Sequence, residues 1–206
     1  MDLILYGNRE SGHSYKVRLM LALTQTPHEY RPVDLSVARE QRPEDFRAIS
    51  KFGEVPVLVD RGQAYVQSDA ILLHLAQRTM KFYGRDAVDH DQVREWLFWE
   101  ANRIGISVPN LRLALHWLPE TKPEVLDWLR GRALADLDRM NAEFGERKFL
   151  LGDIPTVADI ACCGYLFWAD QAGLDLSRCP NVQRWLGDVS ALPGWQHPYD
   201  LMEPAR

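Results

Sequence analysis

The sequence predicts an α/β half followed by an all-α half. Short β-branched runs alternate with helix-period stretches as far as Leu75. Beyond residue 91 only helix-period patterning remains. A polar stretch over 79–91, with Gly84 and several charges, separates the two and reads as a linker. The expected organisation is a first domain over 1–78, a linker over 79–90 and a helical domain over 91–206.

Met1-Asp2 leads directly into Leu3-Ile4-Leu5-Tyr6, a short buried strand, with no leader-like segment ahead of it. Residues 7–13 form a polar turn. Residues 14–23 place Val17, Met20 and Leu21 on one helical face, and Thr26-Pro27 breaks that helix. Residues 28–35 alternate as a strand with Pro32 at an edge or bend, and residues 42–49 read as a short helix with Pro43 in its first turn.

The stretch 51–75 organises the first half. Val55-Pro56-Val57-Leu58-Val59 reads as a buried strand, Asp60-Arg61-Gly62-Gln63 as a turn, and Ala64-Tyr65-Val66 as the second arm of a hairpin. Ser68 reads as a helix cap, with Asp69 in the first turn and Ile71, Leu72 and Leu75 on the apolar face. Pro56 has no N–H for the ladder, so it belongs at the strand entrance or an edge. Two βα units feeding a hairpin imply a mixed sheet covered by helices.

The helical half carries stripes at 93, 97, 101, 104 and 108, flanked by Trp96, Phe98 and Trp99. A second runs through 123–144, and a nearly all-apolar helix is expected over 156–172, with a last one over 181–192. Thr156-Val157-Ala158-Asp159 is a capping box, so Thr156 and Asp159 are structural residues.

The net charge of −5 supplies no basic field for nucleic acid or anionic membranes. No apolar run approaches the ~20 residues that span a bilayer. The cysteines are Cys162, Cys163 and Cys179. An odd count with no CxxC fits a reducing cytoplasm better than a disulfide framework, and no metal site is expected.

Three motifs carry a family resemblance: Gly53-Glu54-Val55-Pro56-Val57-Leu58 with Gln67-Ser68-Asp69-Ala70-Ile71-Leu72; Gly152-Asp153-Ile154-Pro155-Thr156-Val157-Ala158-Asp159; and Pro180-Asn181-Val182-Gln183-Arg184-Trp185 with Leu192-Pro193-Gly194-Trp195. The chain resembles the cytosolic glutathione transferases end to end, in a bacterial, serine-type, theta/zeta/beta-like form. The resemblance implies a thioredoxin-like first domain, a cis Pro56, glutathione as co-substrate, a homodimer and a small hydrophobic electrophile. The activity implied is transfer of the glutathione thiol to that electrophile, as in detoxification. Alternatives are a glutathione-dependent disulfide or peroxide reductase and a non-catalytic binding or regulatory protein of the same fold.

Glutathione is an extended anionic tripeptide with a thiol. Val55 offers a strand-like edge beside Pro56, and Gln67-Ser68 at a helix start offer an anion trap for the γ-glutamyl carboxylate. A plain cap explains Ser68 equally, and an ordinary edge proline explains Pro56. The sulfur donor is expected among Tyr6, Ser11, His13 and Ser14; the resemblance of SGHSYKVR to the serine-type active-site segment implies Ser11, and His13 is read as solvent-exposed. Glu54 stands where the family commonly has Lys or Gln, near the glycyl carboxylate of the ligand, which it would repel unless it points to solvent. Lys51, Arg39 or Arg42 are the compensating cations. Asn102, Arg103, Ile106 and Trp117 are candidates for an electrophile pocket between the halves.

Overall fold

The computed structural model describes residues 3–203, so Met1-Asp2 lie outside the described residues. The chain gathers into two compact units, one running through Lys81 and taking in the tail from Pro193, the other Phe82–Leu192.

The first unit opens with β1 (Leu3–Gly7), α1 (Gly12–Leu23) and β2 (Glu29–Pro32). A 3-10 turn over Arg39–Gln41 and the short α2 (Glu44–Ile49) follow. Then come β3 (Val57–Asp60), β4 (Gln63–Val66) and α3 (Ser68–Thr79). The strands run in the order β2-β1-β3-β4, with β1 parallel to β2 and antiparallel to β3. This is the mixed, thioredoxin-like sheet expected of the first half.

Strand alternation divides the unit into two cores. Tyr6 and Val57 pack with Val33 and with Phe46 of α2, and Ile4, Ile49 and Val59 lie against them. Leu5 points the other way, towards the side of α1 and α3, whose Val17, Met20, Leu21, Ile71, Leu72 and Leu75 are buried. Each such side chain contributes roughly 1.5–3 kcal/mol of burial, which outweighs the weak propensity of a six-residue helix such as α2.

Several boundaries differ from the sequence reading. The strand read over 55–59 begins at Val57, because Pro56 brings no N–H to the ladder. The strand read over 28–35 is confined to Glu29–Pro32 at the sheet edge. The first helix starts earlier, at Gly12, with Ser11 as its cap. Ser68 is the first helical residue of α3 rather than its cap, a position taken by Gln67 at φ 68°.

The second unit contains α4 (Ala87–Asn102), α5 (Ile104–Trp117), α6 (Pro123–Phe144), α7 (Val157–Cys163) and α8 (Pro180–Ser190). The stripe through 93–108 is two helices, not one. Arg103 breaks it at φ −124°, ψ −99°, and its Nε bonds the buried Asp136 at 2.8 Å. The apolar run over 156–172 is helical only to Cys163, then forms a 3-10 turn at Leu166–Trp168. An all-apolar run signals burial but carries no period to fix a helix length. Within the described residues no helix is long and apolar enough to cross a membrane.

Asp159 does more than the capping box requires. Its Oδ2 accepts the Thr156 backbone N–H at 2.8 Å, and its Oδ1 accepts the Leu150 N–H at 2.8 Å and the Trp185 indole N–H at 3.0 Å. One buried carboxylate thus ties the start of α7 to the preceding loop and to α8.

The tail ends in α9 (Pro198–Leu201) and closes on α1. Gly194, at φ +93°, makes this approach, since a Cβ there would meet the Ala22 carbonyl oxygen at 2.9 Å. Tyr15 donates its hydroxyl hydrogen to Gln196 O at 3.0 Å, and Tyr199 to Glu10 Oε2 at 3.0 Å.

Candidate functional site

The N-termini of α1 and α3 bring the predicted polar residues of the first unit together. Ser11 Oγ accepts the Ser14 N–H at 3.1 Å, which caps α1. A hydroxyl has one hydrogen and two lone pairs, so the cap uses an acceptor position and leaves the O–H to donate. Ser14 is fully buried, and its Oγ accepts the Asn8 N–H at 3.3 Å. That contact fastens the β1–α1 turn, a structural role.

His13 is half-buried, not solvent-exposed as the sequence suggested, because it faces α3: its Nδ1 lies 3.5 Å from Ser68 Oγ, the outer limit of a hydrogen bond. Desolvation first, and the nearby Lys16 ammonium second, push its pKa down to about 3, so the imidazole is neutral at pH 7. Lys16 is 1% exposed and pairs with Asp69 Oδ1 at 2.7 Å. This ion pair fastens the first turn of α1 to the first turn of α3, and it went unnoticed in the sequence. The signal was a lysine one helical turn before Met20, inside the buried stripe of α1.

Tyr6 is directed elsewhere. Its hydroxyl donates to Asp45 Oδ2 at 3.1 Å and accepts from Arg31 Nη1 at 2.7 Å. It is 4% exposed and packs on the α2 side of the sheet. Burial, the largest cause, raises its pKa, against the lowering effect of Arg31.

The loop before β3 is held from both ends. Arg42 Nη1 donates to Gly53 O at 2.6 Å, and Ser50 Oγ donates to Glu54 O at 3.1 Å. The Val55–Pro56 peptide is cis. Ladder pairing of β3 with β1 and β4 starts at Val57, so the Val55 N–H and C=O lie beyond it. The Arg39 side chain crosses Gly53, whose φ is +67°. Arg39, Arg42, Arg47 and Glu40 line a cleft of about 190 Å³ with Phe46, Ser50 and Gly53. Arg42 Nε is buried there without a hydrogen-bond partner. Lys51 is exposed, its ammonium 5.1 Å from the Phe52 ring centroid. Gln67 Nε2 reaches Glu54 Oε2 at 3.3 Å.

In the second unit Arg103 is committed to Asp136, which Ser107 Oγ also bonds at 2.8 Å. Asn102 is exposed and lends its carbonyl to Arg132 at 3.3 Å. Ile106 and Trp117 are exposed, and the buried Arg112 guanidinium lies 4.9 Å from the Trp117 ring centroid. Among the described residues no group of His, Cys, Asp or Glu is arranged to hold a metal ion.

A thioredoxin-like unit with a cis-proline loop and a helix N-terminus beside it, joined to an all-helical unit, defines a two-domain fold class. The family models agree: residues 1–77 match the glutathione S-transferase N-terminal domain and residues 112–188 the C-terminal domain. The chain belongs to the glutathione S-transferase family. It is similar to a glutathione S-transferase of Pseudomonas fluorescens, at TM-score 0.89 and 30% identity, covering 98% of this chain and 100% of that one. A glutathione S-transferase of Xanthobacter autotrophicus matches at TM-score 0.86 and 31% identity, covering 98% and 100%. Among curated relatives, the disulfide-bond oxidoreductase YfcG of Escherichia coli is 26% identical, covering 88% of this chain and 87% of that one. A maleylacetoacetate isomerase of Pseudomonas aeruginosa is 27% identical, covering 97% of each.

Proposed function

We propose that this protein binds glutathione and transfers its thiol to a small hydrophobic electrophile. The cysteinyl backbone pairs with the free N–H and C=O of Val55 as an added strand. The γ-glutamyl carboxylate lies on the first N–H groups of α3 at Gln67-Ser68, where the macrodipole favours an anion. Asp69 in that first turn is neutralised by Lys16, which removes its opposition to a bound carboxylate. The glycyl carboxylate is received by Arg39 and Arg42, cations that the sequence reading held in reserve.

The observation that carries the reading is Ser11. Its oxygen is held by the cap on Ser14, and its remaining hydrogen is available to a sulfur bound at the N-terminus of α1. The thiol proton leaves to solvent, and Ser11 donates to the thiolate that remains. The thiolate attacks the electrophilic carbon, a C–S bond forms, and the leaving group departs with its electron pair. Lowering a thiol pKa from ~8.5 by about two units requires roughly 2.7 kcal/mol. One charge-assisted hydrogen bond contributes ~1.5–3 kcal/mol, so one hydroxyl with a helix N-terminus is sufficient. Conjugation of a chloronitroarene by wild type, with a Ser11→Ala rate lower by ten-fold or more, tests it; equal rates return the role to another donor.

The likeness to a disulfide-bond oxidoreductase favours a second reading, reduction of a disulfide by two glutathiones with formation of glutathione disulfide. A hydroxyethyl disulfide assay beside the chloronitroarene assay ranks the two. Family habit and the 76% exposure of Phe98 on α4 support a homodimer, and three buried free cysteines suit a reducing compartment such as the cytoplasm.

A further inference from the structure

The turn that leads into α1 places a carboxylate directly before Ser11. The backbone of both residues is locked: the Glu10 N–H donates to Asn8 Oδ1 at 2.8 Å, and the Ser11 N–H donates to Asn8 O at 3.1 Å. Asn8 is itself fastened, its Nδ2 donating to Val33 O at 2.8 Å. The Glu10 side chain therefore starts from a fixed point one residue ahead of the helix cap. A negative charge there works against a thiolate bound at the same helix N-terminus, because a like charge nearby raises a thiol's pKa.

The tail takes hold of that carboxylate. Tyr199, in the short α9, donates its hydroxyl hydrogen to Glu10 Oε2 at 3.0 Å. Its own N–H donates to His197 Nδ1 at 3.4 Å, and Pro198 before it is buried. The Arg9 guanidinium lies 5.0 Å from the Tyr199 ring centroid and pairs with Glu203 Oε1 at 2.6 Å. Arg18 Nη1 donates to Glu203 O at 3.1 Å. Arg9 and Glu203 are each 53% exposed, so their pair adds little stability; its effect is to seat the tail over the turn. The other charges around the start of α1 are matched or absent: Lys16 pairs with Asp69 of α3, His13 is neutral at pH 7, and Asp200 of α9 is exposed to solvent.

We propose that Tyr199 is a positioning residue for the thiolate step: by holding the Glu10 carboxylate against the tail, it keeps that charge off a sulfur bound at the N-terminus of α1. This rests on the glutathione reading above, but not on which hydroxyl donates to the sulfur.

Tyr199→Phe keeps the ring and removes only the hydroxyl, so it releases Glu10. The pKa of the bound glutathione thiol, read by ultraviolet absorbance against pH, is expected to rise by about half a pH unit. Because the thiolate is the nucleophile, kcat for a chloronitroarene is expected to fall about threefold at pH 6 and to be unchanged at pH 8.5, where the bound thiol is ionised in both proteins. In a Glu10→Gln background Tyr199→Phe is expected to shift neither quantity, since no charge remains to be released. An unshifted thiol in Tyr199→Phe overturns the proposal, as does an equal rise in the Glu10→Gln background or an equal loss of rate at both pH values. Absence of glutathione binding by wild type overturns the underlying reading and this one with it.

Discussion

The Tyr6 hydroxyl donates to Asp45 at 3.1 Å, on the side of the sheet that carries α2. Arg31 donates to the same oxygen at 2.7 Å, so the phenol is part of a network linking β1, β2 and α2. Tyr6→Phe is expected to leave the bound thiol unaffected and to lower stability by about 2 kcal/mol, since it removes two hydrogen bonds at roughly 1 kcal/mol each. Urea denaturation and the thiolate absorbance of bound glutathione check the two halves of this statement; a shifted thiol in Tyr6→Phe contradicts it.

Lys16 and Asp69 form a pair in which the lysine is 1% exposed. Removing one partner of a buried pair leaves an uncompensated charge and costs ~3–5 kcal/mol. With Asp69 itself partly open to solvent, Lys16→Met is expected at the low end, about 3 kcal/mol. Lys16→Met/Asp69→Leu is expected to recover most of it. A double variant no more stable than the single one contradicts the pairing as the source of the loss.

His13 gives a pH dependence of defined sign. Its pKa falls from 6.5 in the unfolded chain to about 3 in the fold. The unfolded chain therefore binds the proton first. The stability contributed by the neutral ring is present above pH 6.5 and is lost as pH falls towards 3. The largest slope for one such proton is about 1.4 kcal/mol per pH unit. Denaturation midpoints of wild type and His13→Asn between pH 7 and 4.5 are expected to converge as pH falls; parallel curves contradict a neutral His13.

Asp159 accepts from two backbone N–H groups and the Trp185 indole while 1% exposed. Asp159→Ala strands those donors in the core. The loss is expected to exceed the ~0.5–2 kcal/mol of a simple cap and to approach 3 kcal/mol. At about 2–4 °C per kcal/mol for a chain of this size, the melting temperature falls by roughly 10 °C. An unchanged melting curve contradicts the role.

Much of this was legible in the sequence because it is local. The Thr156–Asp159 box, the hairpin around Gly62 and the α6 stripe over Pro123–Phe144 are each set by neighbours in the chain. What was not legible is pairing across the fold. Lys16 with Asp69, Tyr6 with Asp45 and Arg103 with Asp136 join residues from different elements, and no local period announces them. The break at Arg103 shows the same limit: the stripe runs on in helical register, while Arg103 leaves the helix and pairs with Asp136. His13 was misjudged for the related reason that its burial comes from α3, not from its own helix.

The proposed role of the Ser11 hydroxyl is to stabilise the glutathione thiolate. Its direct measure is the pKa of the bound thiol, read by ultraviolet absorbance against pH for wild type, Ser11→Ala and Ser11→Gly. Glycine keeps most of the cap's stability, so it separates loss of the donor from loss of the helix start. A wild-type value of ~6.5 and a return towards ~8.5 in both variants are expected. A bound thiol that titrates identically in all three contradicts it.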